Sequence, residues 1–139
     1  ERDDWRRQNV NQLIERMYKE VKQAKPWVQV GISPFGIWRP GNPPGIVGLD
    51  QYSTLYADAR LWFQEGWLDY MTPQLYWQVD SKGQSYPKLL AWWTEQNAKQ
   101  RHLWPGNFTS KVRRSPETEE TAAAWSAEEL IRQIEATRA

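Results

Sequence analysis

The chain has 139 residues, room for one domain with a real core. Its 18 basic and 17 acidic side chains leave a formal charge of +1, which carries no electrostatic footprint for nucleic acid or an anionic membrane and points to neutral partners. With no cysteine and a single histidine, disulfides, thiolate sites and multi-histidine metal sites are excluded, and neither a metal nor a cofactor is expected.

The outlier is tryptophan, at 10 residues, a side chain that serves both a core and a flat platform for sugars or bases. No apolar run approaches the roughly 18 residues of a membrane span. Glu1 and the charged residues after it read as the middle of a longer polypeptide rather than a signal peptide. The absence of cysteine leaves the compartment open.

Residues 4–25 carry Val10, Leu13, Ile14, Met17 and Val21 at helical spacing, with Asp3 or Asp4 to cap the start and Pro26 to stop it. A strand is predicted over 27–33, with Val28, Val30 and Ile32 on one face and Gln29, Gly31 and Ser33 on the other. The Gly- and Pro-rich loop over 35–52 is too long for a mere connector and is where function is expected. Ser53 caps a predicted helix reaching Glu65, with Leu55, Ala59 and Trp62 on one stripe and Gly66 as its left-handed stop.

The pattern then repeats. A strand is predicted over 67–77, a polar loop over 78–86, and a helix opened by Pro87 and reaching Gln100, with Leu89, Leu90 and Trp93 inward. Trp92 and Trp93 are adjacent and are not expected to share the inner face, so one of them should mark an exposed patch. A third strand over 102–108 is irregular at Pro105 and Gly106, and 110–121 reads as a solvated loop. Ser126 and Glu129 form a capping box for a last helix presenting Leu130, Ile131 and Ile134. Trp62, Trp92, Trp93 and Trp125 are assigned to helix packing.

The order α, β, α, β, α, β, α defines an α/β chain with a parallel sheet and right-handed crossovers. Each unit with its loop takes roughly 35 to 50 residues, whereas a closed eightfold barrel needs about 250. The chain therefore reads as a partial (β/α)8 TIM barrel, about three β/α units plus a leading helix. A doubly wound open sheet is the alternative, but no Gly-rich phosphate turn accompanies it. A partial barrel leaves strand edges unpaired and its lumen face unfilled, so self-association through the open edges, or marginal stability alone, is expected.

Barrel ligands sit above the C-terminal ends of the strands. That selects Ser33, Phe35, Trp38 and Arg39 from the first unit, Gln74, Tyr76 and Trp77 from the second, and Asn107 from the third. Gln74 and Asn107 donate and accept toward a sugar hydroxyl, Tyr76 offers a hydroxyl near a reacting centre, and Trp38 and Trp77 can stack on a pyranose. Arg39 suits a ligand carboxylate, as in an acidic sugar or muropeptide, or else an ion pair with Asp50 or Asp58.

Glycoside hydrolysis uses two carboxyl groups, about 5 to 5.5 Å apart for retention and about 6.5 to 9.5 Å for inversion. Asp50 and Asp80 lie in loops after strand ends and are, with Tyr76, the weak catalytic candidates, although loop aspartates commonly form turns. Asp69 lies early in its strand and belongs to the barrel bottom, while Glu65, Glu95, Glu128 and Glu129 fall on outer helices. Ser33 lacks a second histidine as base, and the lone His102 reads as a packed or surface residue.

Several motifs in order carry a resemblance: residues 5–10 (Trp-Arg-Arg-Gln-Asn-Val), 31–39 (Gly-Ile-Ser-Pro-Phe-Gly-Ile-Trp-Arg), 49–52 (Leu-Asp-Gln-Tyr), 55–60 (Leu-Tyr-Ala-Asp-Ala-Arg), Asp69 with Tyr70, 73–77 (Pro-Gln-Leu-Tyr-Trp), and Trp125 with Ser126. Together they resemble the glycosyl-hydrolase-like family 10 proteins of bacteria, over nearly the whole chain. The resemblance implies that residues 1–139 are a fragment of a single glycosidase-like barrel domain, covering about strands five to seven. The family's acidic, Tyr-rich strand end is not in this sequence, nor is the last strand. The resemblance thus implies part of a glycoside hydrolase barrel acting on a polysaccharide, in an extracytoplasmic setting (periplasmic, lipoprotein or secreted) at the cell envelope. With its general acid and base mostly elsewhere, the isolated segment should bind carbohydrate better than it cuts. A non-catalytic carbohydrate-binding module is the alternative, and a purely structural segment a third reading.

Overall fold

The computed structural model describes residues 1–112 and 124–139. Helix α1 (Arg2–Ala24) starts two residues earlier than expected, because Glu1 and Asp4 form a reciprocal capping box in place of an Asp3 or Asp4 cap. Its inner stripe is also more polar than the apolar spacing suggested. Arg7 and Asn11 are buried, Val10 and Ile14 pack partly against the core, and Leu13 is 64% exposed. Buried aromatic rings explain the choice. The Trp62 indole donates to Asn11 Oδ1 at 2.7 Å, and the Arg7 guanidinium lies 3.6 Å over the Tyr52 ring.

Three short strands, β1 (Gly31–Ile32), β2 (Tyr70–Met71) and β3 (His102–Leu103), form a parallel sheet in the order β1-β2-β3. Gly31, Tyr70 and His102 stand in one row, and Ile32, Met71 and Leu103 in the next. Bridges from Phe35 to Gln74 and from Gln74 to Gly106 carry the same register three residues on. The backbone ladder between them continues through Thr72 N to Ile32 O at 2.8 Å and Gly106 N to Pro73 O at 2.9 Å. The strands are therefore regular in direction and much shorter in formal pairing than 27–33, 67–77 and 102–108. Pro34, Pro73 and Pro105 thin the ladder, since each lacks an N–H to donate.

The single helix expected over 53–65 is broken in two. Asp50, not Ser53, caps the short α2 (Gln51–Thr54), and Asp58 caps α3 (Ala59–Glu65), which Gly66 ends at φ 72° as expected. Helix α4 (Tyr86–Glu95) has proline in its first turn and stops short of Gln100. Both Trp92 and Trp93 are buried, contrary to expectation. Trp93 packs beside Phe63 and donates to Gly36 O at 2.8 Å, while Trp92 lies edge-on to Trp93 and stacks on Trp38 at 5.9 Å. The ring-on-ring stack lets one residue of the pair cover the flank of the other.

Helix α5 (Ala127–Arg138) is capped by Ser126, whose side chain accepts from Glu129 N. The inner face differs again from the apolar spacing: Ile131 and Ile134 are exposed, and Glu129 and Gln133 are buried. Trp125 is buried but precedes α5, bridged in parallel to Val112. A single turn of 3-10 helix, Thr109–Lys111, lies before that bridge. Most of the predicted loop over 110–121 lies outside the described residues. The core is one cluster between sheet and helices, built on Ile37, Ile46, Phe63, Leu68, Met71, Leu75, Leu89 and Trp93. Among the described residues no helix is long and apolar enough to cross a membrane.

Candidate functional site

Strand side chains alternate between faces, and residues paired across parallel strands share a face. The rows therefore sort every strand residue. Ile32, Pro34, Met71, Pro73, Leu75 and Leu103 face the helices, and the four residues among these from Pro34 to Leu75 are buried. Ser33, Phe35, Tyr70, Thr72, Gln74, Tyr76, Trp104, Gly106 and Phe108 face the other way, and none of them is buried. On that open face Phe35 is 45% and Trp104 53% exposed.

Four of the expected binding residues meet here. Gln74 Nε2 donates to Ser33 O at 3.2 Å and to Ser33 Oγ at 3.4 Å, which orients its amide. Phe35 lies beside Gln74 in the same row, and Tyr76 follows two residues further along the chain, its ring 4.9 Å from Phe108. The strands end here, so these groups stand at the C-terminal rim.

The other four are held elsewhere. Trp38 donates to Asp58 Oδ1 at 2.9 Å, stacks on the Trp92 ring and has the Arg60 guanidinium over its own ring. Trp77 packs against the core under Gly36, and its carbonyl accepts from Gln133. Asn107 faces α5, donating to Gln133 Oε1 at 2.8 Å and to the Tyr86 hydroxyl at 3.3 Å. Arg39 pairs with Asp50 at 3.5 Å while lying over the Tyr52 ring. Of the two ion-pair partners considered for it, Asp58 is already taken by the Trp38 indole.

The two aspartates among the weak catalytic candidates are engaged too, while Tyr76 stands on the open face. Asp50 caps α2, accepting from Ser53 N at 2.9 Å and Ser53 Oγ at 3.0 Å. Asp80 pairs with Arg132 of α5 at 2.8 Å, and that hydrogen-bonded guanidinium lowers its carboxyl below the ordinary aspartate value. Asp69 sits before β2 at the opposite end of the sheet. Burial pushes its carboxyl up, but the Lys22 ammonium, the Val30 N–H and the Tyr18 hydroxyl outweigh this and hold it below its usual range. Glu129, assigned to an outer helix face, is instead buried and accepts from Val79 N at 2.7 Å and Gln133 Nε2 at 3.0 Å. Among the described residues no cluster of three or more His, Asp or Glu could hold a metal ion.

Sequence reasoning missed the lower and outer aromatics of the open face. The Tyr70 and Trp104 rings meet at 4.8 Å, and His102 stacks on Trp104 at 5.2 Å. At the upper end Phe108 meets Trp125 edge-on, with the Lys111 ammonium 5.3 Å and 5.4 Å from the two rings. Period-two alternation from His102 onward is the signal that would have found Trp104 and Phe108.

The site is thus a parallel α/β sheet with an open, aromatic and amide-bearing face, and comparison with known proteins gives its family. The family model for glycosyl hydrolase-like 10 matches residues 1–127, and the chain belongs to that family. It is 42% identical to glycosyl hydrolase YngK of Bacillus subtilis (strain 168), an alignment covering 98% of this chain and 27% of that protein. It is 41% identical to glycosyl hydrolase DigH of Escherichia coli (strain K12), over 66% of this chain and 22% of the relative, and equally similar to DigH of Shigella flexneri. The chain thus spans about a quarter of the length of the curated relatives it matches.

Proposed function

We propose that this chain forms part of a glycoside hydrolase barrel and contributes its carbohydrate-binding wall. The observation that carries this reading is the open sheet face on which Ser33, Phe35, Gln74 and Tyr76 converge at the C-terminal strand ends. An oriented amide beside exposed rings suits a pyranose, which presents hydroxyls at its edge and C–H groups on its face. The parallel order and open edges support a (β/α)8 barrel of which these are three units. A polysaccharide substrate and a setting at the bacterial cell envelope extend the same reading.

The general acid and base would come from the rest of such a barrel. None of the strand residues on the open face is acidic, and Asp50, Asp80 and Glu129 are each committed to structural partners. The same observation favours a second reading, a carbohydrate-binding module without turnover. A fluorescence titration of the chain with neutral glucan and N-acetylated oligosaccharides tests the common part. Saturable quenching that Gln74→Ala loses while melting unchanged supports the wall; a flat response from the folded chain sinks it. Hydrolysis by the longer protein, abolished by replacing an acid outside this segment, would decide for the enzyme over the module.

A further inference from the structure

We propose that Gly106 sets ligand specificity on this face, its missing side chain leaving a notch beside Gln74 that receives the ring edge of a pyranose. The inference rests on the sugar-binding reading above and names a position within it.

The other described glycines have structural reasons. A Cβ on Gly31 would enter the Tyr70 ring, one on Gly36 would strike the Gln74 carbonyl, and one on Gly83 would press on Val47. Gly41, Gly45, Gly48 and Gly66 hold φ of 78°, 84°, 149° and 72°, where other residues are strained. Gly106 has neither reason. Its φ is outside the left-handed region, and a Cβ there would stand 3.5 Å from Pro73 O, 3.5 Å from the Tyr76 ring and 3.7 Å from Gln74 Cα, ordinary contact distances. It is not a bulge, since its N–H donates to Pro73 O and its carbonyl accepts from Leu75 N.

Gly106 lies three residues beyond β3 in a single bridged position, where a glycine still loses more backbone freedom on folding than other residues, so folding alone would favour a side chain here. The one-carbon space lies in the same row as Phe35 and Gln74, against the Tyr76 ring, which is tilted on Phe108, and two residues after the exposed Trp104. A sugar seated against Gln74 must pass over it. Among the reasons for keeping a glycine at such a position, a close approach by a ligand is the one that suits an exposed face.

The test compares Gly106→Ala and Gly106→Leu with the unmodified chain in the same oligosaccharide titration, each variant also followed by thermal melting. The expected result is a melting temperature no lower than that of the unmodified chain, with affinity falling about tenfold for Ala and about a hundredfold or more for Leu. Variants that bind as the unmodified chain does overturn the notch and leave the sugar-binding wall standing. Variants that melt lower in step with their loss of binding make Gly106 a structural residue and also overturn it. An unmodified chain that binds no member of the panel removes the wall, and the notch with it. Because Gly106→Ala adds one carbon at contact distance, it decides the question even where the leucine variant fails to fold.

Discussion

Replacing Asp69 by alanine should destabilise the chain by about 3 kcal/mol, a figure that follows from what the carboxylate touches at the base of the sheet. It accepts from Val30 N at 2.8 Å and from the Tyr18 hydroxyl at 3.3 Å, and it pairs with Lys22 at 2.5 Å, its side chain only 11% accessible. Losing it orphans the Val30 N–H, at about 1 to 3 kcal/mol, and removes a charge-assisted bond worth about 1.5 to 3 kcal/mol. The full cost of stranding a buried charge does not apply, because Lys22 still donates to Val28 O at 2.7 Å. At about 3 to 4 °C per kcal/mol for a chain of this size, the melting temperature should fall by about 10 °C at pH 7. The pH dependence has a definite sign. The folded carboxyl titrates below its unfolded value, so its contribution is complete above the unfolded pKa of about 3.9 and fades as pH falls through the folded pKa. The gap between unmodified chain and variant should therefore narrow below about pH 4. A double-mutant cycle with Lys22→Met should give a coupling of about 1 to 2 kcal/mol. A variant melting within about 2 °C of the unmodified chain at pH 7, or a gap constant down to pH 3, would refute the reasoning.

Trp77→Ala should lower the melting temperature, because the ring packs under Gly36, whereas Gln74→Ala should leave melting unchanged and act on sugar binding; paired melts and titrations separate the two. Glu129→Ala removes the acceptor for Val79 N and Gln133 and should cost about 2 kcal/mol, seen as faster amide hydrogen exchange over Ala127–Arg138. Trp93→Phe breaks the buried bond to Gly36 O and should cost about 2 kcal/mol by chemical denaturation. Asp80→Asn should leave both melting and sugar binding unchanged, since its partner Arg132 holds it on the surface; a loss of binding would return Asp80 to the site.

The order of elements was legible because it rests on strong local signals: the Ser126 cap, the Gly66 stop, the proline in the first turn of α4, and the apolar runs that alternate with them. What periodicity could not show was which stripe of a helix turns inward when buried aromatics demand polar partners. On α1 the Trp62 indole requires an acceptor, so Asn11 takes an inner place and Leu13 turns out. On α5 the exposed Ile131 and Ile134 carried the apolar signal, while Glu129 and Gln133 do the docking through the Val79 N–H, the Trp77 carbonyl and Asn107. Hydrophobic spacing assumes that burial is apolar, and here the loop leaving β2 offers unpaired backbone groups that only polar side chains can satisfy.

The site was half legible for a different reason. Treating every residue after a strand as rim counts both faces of the strand, and a parallel sheet covered by helices gives only one of them to a ligand. Gln74 and Tyr76 are two apart and share the open face; Trp77, one step on, must turn toward the helices, and it does. Asn107 is likewise one step from Gly106 and reaches α5 instead of the open side. The same parity places Trp104 and Phe108 where a ligand could meet them, although neither carries a motif. On the proposed reading an aromatic, amide-bearing face suits a sugar, and without an acidic strand residue it lacks the paired carboxyl groups that glycoside hydrolysis commonly uses. On that reading the carboxyl groups of hydrolysis would come from outside this segment, which matches about a quarter of the length of its curated relatives.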